Sequence, residues 1–313
     1  MSPIPFDPQH LRLKTLHPAL ALRSRILQLI RGFFVDRDFL EVETPVRIAA
    51  PAPELHIDAQ SSGTAYLRTS PELHMKRMLA SGFERIFQMG PCFRRGERGP
   101  VHHPEYTMLE FYRAHADYRD ALADTKALIA HVAKALHGSL NIVYQGRPID
   151  LATWERLEVD EAFILHAGWS PVRSYDADRF DLDLVDCVEP AFPKGNPMVL
   201  MDYPIEAGAL ARRKPGRPEV AERWELYIGG LELANAFSEL TDADEQEERF
   251  EICTRRRNDA GRETYPRDDE FLAALRRGLP PAAGAALGVD RLAMLFADAA
   301  DLGDVVAFQE SPD

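Results

Sequence analysis

The segment Trp224–Leu240 reads WELYIGGLELANAFSEL and predicts a β-hairpin, which constrains the fold more than any other part of the chain. Two short alternating runs flank Gly229-Gly230, a pair that favours a tight two-residue turn. The turn sets which residues of the two strands face each other. The expected pairs are Ile228 with Leu231, Tyr227 with Glu232, Leu226 with Leu233 and Glu225 with Ala234.

This register gives the hairpin one apolar and one polar face, because side chains alternate along a strand. The apolar face, expected to be the core side, carries Leu226, Ile228, Leu231 and Leu233. Glu225 and Glu232 share the other face as diagonal neighbours, roughly 7–8 Å apart. A divalent cation bridging these acids to phosphate oxygens would offset their repulsion. From the hairpin alone, a solvated strand face with scattered acids is an equally good interpretation.

Composition indicates an ordinary globular chain of 313 residues, with 28% charged and 45% hydrophobic residues. No apolar run approaches the ~20 residues that span a bilayer, and MSPIPFDPQH lacks the features of a signal peptide. We therefore expect a cytoplasmic protein. The formal net charge of −13 disfavours extended nucleic-acid binding. Three widely spaced cysteines match neither a disulfide framework nor a zinc site: Cys92, Cys187 and Cys253.

Helical and strand patterns are intermixed along the chain, which predicts an α+β architecture of mostly antiparallel strands flanked by helices. The expected strands are Phe39–Thr44, Tyr66–Thr69, Arg85–Gly90, Thr107–Tyr112 and Met198–Tyr203. The expected helices are Leu20–Phe34, Ser70–Leu79, Tyr118–Leu136, Glu245–Ala260, Asp268–Gly278 and Gly288–Ala297. Ser70 is predicted as an N-cap with Pro71 at the first helical position, and Asp117 as the cap of the third helix. No repeat or low-complexity linker divides the chain, so residues 1–313 are expected to form a single domain.

Phe87–Arg113 places an arginine at the end of a predicted strand, before a loop rich in arginine and histidine. The planar fork of Arg94 suits two phosphate oxygens at once. Alone, Arg94 fits a surface arginine better.

Gly288–Leu295, GVDRLAML, places a glycine before an apolar helix whose first turn carries Arg291. The glycine permits close approach to a ligand, and the arginine there could bind a terminal phosphate. An ion pair between Asp290 and Arg291 at the helix start is the alternative, and the isolated segment favours it.

Together with Arg31–Pro45, these stretches resemble the three signature motifs of class II aminoacyl-tRNA synthetases. TSPELHMKR (Thr69–Arg77), HPEYTMLEFY (His103–Tyr112) and ELANAFSELTD (Glu232–Asp242) resemble the lysyl-tRNA synthetase branch in particular. The motif 1 helix is predicted to begin near residue 20, so we expect no N-terminal anticodon-binding OB-fold domain. A core of this length resembles the elongation factor P lysine ligases, which activate lysine, preferably (R)-β-lysine, and attach it to a lysine of elongation factor P.

The resemblance implies ATP and Mg²⁺ as cofactors and assigns roles to individual residues. Arg94 would hold the α-phosphate and Arg291 the γ-phosphate, both as catalytic residues. Tyr106 would stack on adenine, and Glu225 and Glu232 would bind magnesium. The nucleotide would also contact Arg95, Gly96, Glu97, His103, Glu232, Leu233 and Gly288. The lysine pocket would be lined by Ser70, Pro71, Glu72, Glu110, Tyr112, Asn235 and Glu239.

Two residues depart from the family pattern: Gly96 stands where an acid is usual, and His103 where relatives have an asparagine. Both leave details of adenine and phosphate binding open. Glu239 also has the opposite strand parity to Glu232. Both can reach one cavity only if the chain bends or bulges near Asn235-Ala236, and we expect such a bulge.

Three functions follow from the resemblance. The first is lysine transfer to elongation factor P, with lysine or β-lysine as substrate, tRNA an improbable partner and a homodimer formed through motif 1. The second is a truncated synthetase-like enzyme that acylates tRNA or another small acceptor. The third is a catalytically dead paralogue that acts as a binding or regulatory protein. The arginines and acids of the motifs are all present, which disfavours the third.

Overall fold

The computed structural model describes residues 8–309. Residues 1–7, which belong to the N-terminal segment predicted to lack a signal peptide, lie outside the described residues. The helices are α1 (Pro8–Val35), α2 (Glu72–Leu79), α3 (Tyr118–His137), α4 (Val159–His166), α5 (Ala177–Asp183), α6 (Ala243–Asp259), α7 (Asp269–Gly278) and α8 (Val289–Ala297). None of these helices in residues 8–309 is both long and apolar enough to cross a bilayer.

The strands are β1 (Leu40–Glu41), β2 (Arg47–Ile48), β3 (Ser61–Ser62), β4 (Ala65–Leu67), β5 (Arg85–Phe93), β6 (Glu105–Ala114), β7 (Asn141–Tyr144), β8 (Arg147–Asp150), β9 (Glu155–Glu158), β10 (Met198–Pro204), β11 (Arg213–Lys214), β12 (Arg217–Ile228), β13 (Leu231–Ser238) and β14 (Ala282–Gly288). The predicted strand Phe39–Thr44 is reduced to two residues, β1, which pair with β5 in parallel. The other predicted strands and helices are present with shifted ends.

A nine-stranded sheet dominates the described part of the chain, in the order β1-β5-β6-β14-β13-β12-β10-β9, with β11 paired to β12. The strands β5 through β10 pair antiparallel along this order, and only the two outermost pairings are parallel. Helices cover the sheet, so the predicted α+β class with a mostly antiparallel sheet is confirmed.

One face of the sheet packs on the largest hydrophobic core, which helices α1, α3 and α8 complete. Leu109, Phe111, Ala285 and Leu287 alternate along β6 and β14 to reach this core. Alternate residues on the same two strands therefore point to the opposite face. That second face carries the candidate site.

The hairpin of β12 and β13 confirms the predicted apolar face and turn. Gly229 and Gly230 both have positive φ, 64° and 89°, as a tight primed turn requires. Two predicted pairings were wrong, Glu225 with Ala234 and Leu226 with Leu233, because a bulge makes Leu226 face Ala234 and Glu225 face Asn235. Leu233 is the extra residue, so the bulge lies about two residues before its predicted place.

Helix α2 begins differently from the prediction. Pro71 occupies the N-cap position, and the helix starts at Glu72 without a side-chain cap from Pro71. The Ser70 hydroxyl still accepts the backbone N–H of Glu72 at 2.9 Å, so the serine supports this turn from one residue further out. The Asp117 cap of α3 is confirmed, with its carboxylate accepting two backbone N–H groups.

Candidate active site

A single row of residues crosses five strands and forms the centre of the site. Strand pairing aligns Glu225, Asn235, Ala286, Glu110 and Gln88 from β12 to β5. Directly paired residues point to the same face of a sheet. Residues far apart in sequence thus meet because the sheet places β13 and β14 between β12 and β6.

The bulge at Leu233 decides which face of the hairpin Glu232 occupies. Leu233 and Ala234 both belong to the large core, whereas Asn235 lies on the site face. Without the extra residue, Glu232 would share the parity of Ala234 and face the core. With it, Glu232 lies opposite Tyr227 on the same face as Glu225.

A cavity of about 130 Å³ opens on this face between β6, β13 and the start of α8. It brings together most of the residues predicted to contact the nucleotide. Its lining includes Arg94, Glu97, His103, Tyr106, Glu232, Leu233, Gly288 and Arg291, and also Asn235 from the predicted lysine pocket. Arg95 and Gly96 do not line it. The Arg95 side chain instead forms an ion pair with Glu263, with a nitrogen–oxygen distance of 3.0 Å.

Arg94 lies over the ring of Tyr106, with 5.1 Å between the guanidinium carbon and the ring centroid. Its Nε is buried without a hydrogen-bond partner among the described residues. Glu97 is 3.5 Å from another guanidinium nitrogen. A buried donor left unpaired is costly, so Arg94 is prepared to bind an anion that supplies the missing acceptor.

Arg291 enters the cavity from α8 and contacts β13. It donates to the backbone carbonyl of Glu232 at 2.7 Å and lies 3.3 Å from the Glu232 carboxylate. Its Nη2 lies 2.7 Å from His102 Nε2. Burial and the neighbouring Arg291 charge lower the pKa of His102, which keeps the imidazole neutral and able to accept this hydrogen bond. The alternative ion pair between Asp290 and Arg291 is absent from the described contacts, because Asp290 pairs with Arg23.

The two predicted metal ligands have unequal surroundings. Glu225 accepts hydrogen bonds from Arg223 at 2.6 Å, from Tyr203 at 2.6 Å and from Tyr227 at 2.7 Å. Glu232 instead keeps 44% of its side chain exposed. Partial desolvation and the Glu225 charge raise the pKa of Glu232, as expected for acids that share a site.

The oxygen donors of this pair suit magnesium, with most of the free coordination capacity on Glu232. Within residues 8–309 no group of three or more His, Cys, Asp or Glu side chains is arranged to hold a metal. A magnesium ion here would therefore need phosphate oxygens as further ligands. Arg223, which the sequence reasoning missed, supplies positive charge beside both acids.

A cluster of acidic side chains on the same face, Glu72, Glu110 and Glu239, adjoins the cavity and is called the acidic pocket below. Glu110 is 2% exposed and accepts the Ser70 hydroxyl at 2.6 Å and the Tyr112 hydroxyl at 2.8 Å. Burial raises its pKa to about 7, with the Glu72 charge adding to the effect. Gly284 forms the floor, because a Cβ there would lie 2.2 Å from the Tyr112 ring.

Glu239 completes this pocket at its deepest point, with no exposed surface. Neither carboxylate oxygen has a hydrogen bond of good geometry among the described residues, although Lys76 Nζ lies 2.5 Å from one of them. Burial raises the pKa of Glu239 to about 8. Lys76 also contacts Glu72 at 2.5 Å. The predicted lysine-binding acids are thus brought together, with a resident lysine among them.

The sequence reasoning missed Lys76, and its spacing could have found it, since residues four apart share one face of a helix. It also missed Glu54. Burial raises the pKa of Glu54, the Arg94 charge lowers it and the Glu72 charge raises it, so Glu54 is within electrostatic range of both binding regions. Buried Arg257 holds its loop, bonding the carbonyl of Glu54 at 2.5 Å and the carboxylate of Asp58 at 2.6 Å.

Residues 8–312 match the family described as tRNA synthetases class II (D, K and N). The chain belongs to the class II tRNA synthetases. The motif arginines and acids described above are thus parts of a synthetase domain, which confirms the expected fold family.

Several curated relatives of this class II domain are named lysine–tRNA ligase. The chain is 38% identical to the one from Carboxydothermus hydrogenoformans, over 92% of this chain and 64% of that relative. It is 36% identical to those from Azoarcus sp. and Chromohalobacter salexigens, over 92% of this chain and 63% and 62% of them. The chain thus spans slightly less than two thirds of the length of these relatives.

Proposed function

We propose that this protein uses ATP to activate lysine as lysyl-adenylate and transfers the lysyl group to a lysine side chain of elongation factor P. (R)-β-lysine is the preferred isomer in this proposal, as the resemblance to the elongation factor P lysine ligases implies. One observation supports the activation step: an arginine-lined cavity and a cluster of buried acids adjoin on the same face of the sheet. The cavity suits phosphate, and the pocket suits an ammonium group.

The substrates would bind across the row of residues at the centre of the sheet. Glu110 and Glu239 would hold ammonium groups of the lysine, which places its carboxylate toward Arg94. Gly288 leaves open space where a side chain would project into the cavity, since a Cβ there would have its nearest contact at 3.8 Å. The nucleotide can thus approach the backbone closely.

In the first step a carboxylate oxygen of lysine attacks the α-phosphorus of ATP. The bond from that phosphorus to the β-phosphate oxygen breaks, and pyrophosphate leaves. No general base is required, because the carboxylate is already ionised. Arg94 and Arg291 would stabilise the negative charge that shifts onto the phosphate oxygens, so catalysis depends on positioning and electrostatics.

Magnesium is part of this proposal, with Glu232 and Glu225 as the residues that would hold it. A bound magnesium ion would spread the charge of the phosphate oxygens and orient them. Arg223 and the two tyrosines fix the Glu225 carboxylate in one orientation.

In the second step the uncharged ε-amino group of the acceptor lysine attacks the carbonyl carbon of the adenylate. An amide bond forms, the bond to the phosphate oxygen breaks, and AMP leaves with that electron pair. The acceptor ammonium loses one proton to solvent before the attack, and the nitrogen loses a second proton as the amide forms. Glu54 is an ionisable group near Arg94 and Glu72, where this proton could be received.

The first test is lysine-dependent ATP–pyrophosphate exchange, which reports the adenylation step alone. Mass spectrometry of elongation factor P, after incubation with this protein, ATP and either L-α-lysine or (R)-β-lysine, then tests the acceptor. The expected result is a mass increase of one lysyl group, with a larger fraction of elongation factor P modified when the β isomer is supplied. No exchange with either isomer would contradict the activity and favour a non-catalytic paralogue.

Acylation of tRNA is the second candidate, and the names of the relatives favour it. It shares the adenylation step, so exchange cannot separate the two. Labelled lysine offered with both tRNA and elongation factor P can do so. Charged tRNA together with unmodified elongation factor P would reject the first proposal.

We also propose that the protein works as a homodimer through the motif 1 region. Val35 at the end of α1 and Leu40 in β1 are 55% and 51% exposed, which suits apolar contact with a second copy. Sedimentation equilibrium would measure the mass, and a monomer at micromolar concentration would contradict this proposal.

A further inference from the structure

Lys76 is a buried ammonium in the middle of the acidic pocket. Its side chain is 1% exposed on α2, and its Nζ lies 2.5 Å from both Glu72 and Glu239. The ring of Phe237 lies 5.0 Å from the same nitrogen. A buried lysine is rare unless paired, and the two carboxylates raise its pKa against the effect of burial, so it stays charged.

The charges that face this ammonium come from two elements and the end of β13. Glu72 is on α2, Glu110 is on β6, and Glu239 follows β13. Tyr112 faces the same space and stays neutral, because burial and the nearby acids raise its pKa. When ionised, three carboxylates meet one resident ammonium, which leaves two negative charges to be compensated.

Without a ligand, protons supply part of that compensation. Burial raises the pKa of Glu239 to about 8 and that of Glu110 to about 7. At pH 7.5 these two acids together hold about one proton, as their pKa values require. A ligand with two ammonium groups would replace the missing positive charge and release that proton.

We propose that Lys76 is a positioning residue that fixes the Glu72 and Glu239 carboxylates. It compensates one of the three negative charges and leaves two for the ligand, so that a diamino acid fits the pocket and a monoamino acid does not. This inference rests on the proposed lysine activation and deepens it. The resident ammonium has no role in the attack on the phosphate. It acts through the acids that would contact the substrate.

Removal of Lys76 should raise the pKa of Glu239, because the nearest positive charge is lost. A protonated Glu239 cannot form an ion pair with an ammonium group. The increase in KM for lysine is therefore largest below that pKa and becomes small above it. If the pKa of Glu239 rises by one unit, KM for lysine should rise about tenfold at pH 7 and about twofold at pH 9. Variant and wild type are compared at the same pH, so ionisation of lysine itself cancels.

The experiment measures lysine-dependent ATP–pyrophosphate exchange from pH 6.5 to 9 for wild type, Lys76→Met and Lys134→Met. Lys134 is an exposed lysine on α3 and serves as the matched control. We expect Lys76→Met to raise KM for lysine in the pH-dependent way above, with kcat and KM for ATP changed less than threefold. Lys134→Met should match wild type.

Calorimetric titration of L-lysine at pH 7.5, in buffers of different ionisation enthalpy, measures the protons released on binding. Wild type should release about one, and Lys76→Met more, since its pocket holds more protons before binding. Norleucine, which has one ammonium group, should release none. If Lys76→Met is unstable, Lys76→Met/Glu239→Gln removes both partners and should fold, because no uncompensated charge stays buried at this pair.

Two failures are distinguishable. If wild type shows lysine-dependent exchange and Lys76→Met has the same KM profile and proton release, only the role of Lys76 is overturned. Wild type without exchange on any lysine isomer overturns the proposed function. In the double variant, proton release equal to that of Lys76→Met would also overturn the inference, because Glu239 could not be the source of the extra proton.

Discussion

Arg23 of α1 forms an ion pair with Asp290 at the start of α8, across 267 residues of sequence. The second Asp290 oxygen accepts the backbone N–H of Thr107 at 2.7 Å, so one carboxylate joins α1, β6 and α8. Arg291, the next residue, also lines the cavity, where it contacts Glu232 and His102. The buried carboxylate therefore fixes the helix turn that presents the proposed phosphate-binding arginine.

Breaking this pair should destabilise the protein and misplace Arg291. Arg23→Met leaves Asp290 buried at 3% exposure without its guanidinium partner. Loss of one partner of a buried pair costs about 3 kcal/mol in the free energy of unfolding. Urea denaturation of Arg23→Met, Asp290→Asn and the double variant should give a coupling energy of about 1–3 kcal/mol.

Arg25→Met is the matched control for this cycle, because Arg25 is exposed on the same helix. It should change the free energy of unfolding by less than about 0.5 kcal/mol. Additive effects of Arg23→Met and Asp290→Asn would mean that the pair does not act as a unit.

The segment GVDRLAML predicted the helix and an inward arginine but not the partner of Asp290. Local reasoning favoured an ion pair between neighbours, since both residues lie in one helix turn. The true partner is in α1, and only the packing of α1 against α8 brings it close. Pairings at long range follow from tertiary packing, which a single sequence pattern does not encode.

Arg291→Ala should abolish ATP–pyrophosphate exchange while the fold is retained. The arginine contacts Glu232 and His102 at the cavity wall, and 18% of its side chain is exposed, so its loss leaves the apolar core intact. Loss of an electrostatic contact to the transition state lowers the rate about 100-fold or more. Exchange and the unfolding midpoint are measured together, and Arg277→Ala, an exposed arginine of α7, is the control. Normal exchange in Arg291→Ala would remove it from the site.

The hairpin shows which features of a strand pair can be predicted from the alternation of apolar and polar residues. The apolar face and the turn followed from the pattern around Gly229-Gly230, because period two and turn chemistry are local properties. The need for a bulge followed from requiring Glu232 and Glu239 in one cavity. Its place at Leu233 did not, since Leu233 and Ala234 both pack into the core, and that packing is set by other elements.

Glu239→Gln should weaken the binding of lysine far more than the binding of ATP. The carboxylate lies in the acidic pocket beside Lys76 and does not line the cavity around Arg94. Removing one charge-assisted hydrogen bond costs about 1.5–3 kcal/mol, or about 10- to 150-fold in KM for lysine. Initial exchange rates with each substrate varied in turn give both KM values. Glu248→Gln is the control, because Glu248 is an exposed residue of α6. Equal increases in both values would place Glu239 outside the lysine pocket.

The same acid should make the stability of the ligand-free protein depend on pH. The folded-state pKa of Glu239, about 8, lies above its ordinary value of 4.5, so the folded protein binds the proton more tightly than the unfolded chain. Its favourable contribution is complete below pH 4.5 and is lost as pH rises to about 8, by up to about 1.4 kcal/mol per pH unit. Urea denaturation at pH 5.5, 6.5 and 7.5 measures this slope. Glu239→Gln should flatten it by about one proton, and Glu248→Gln should leave it unchanged. A wild-type slope that Glu239→Gln does not alter would mean that Glu239 is already ionised in the empty pocket, and that lysine need displace no proton from it.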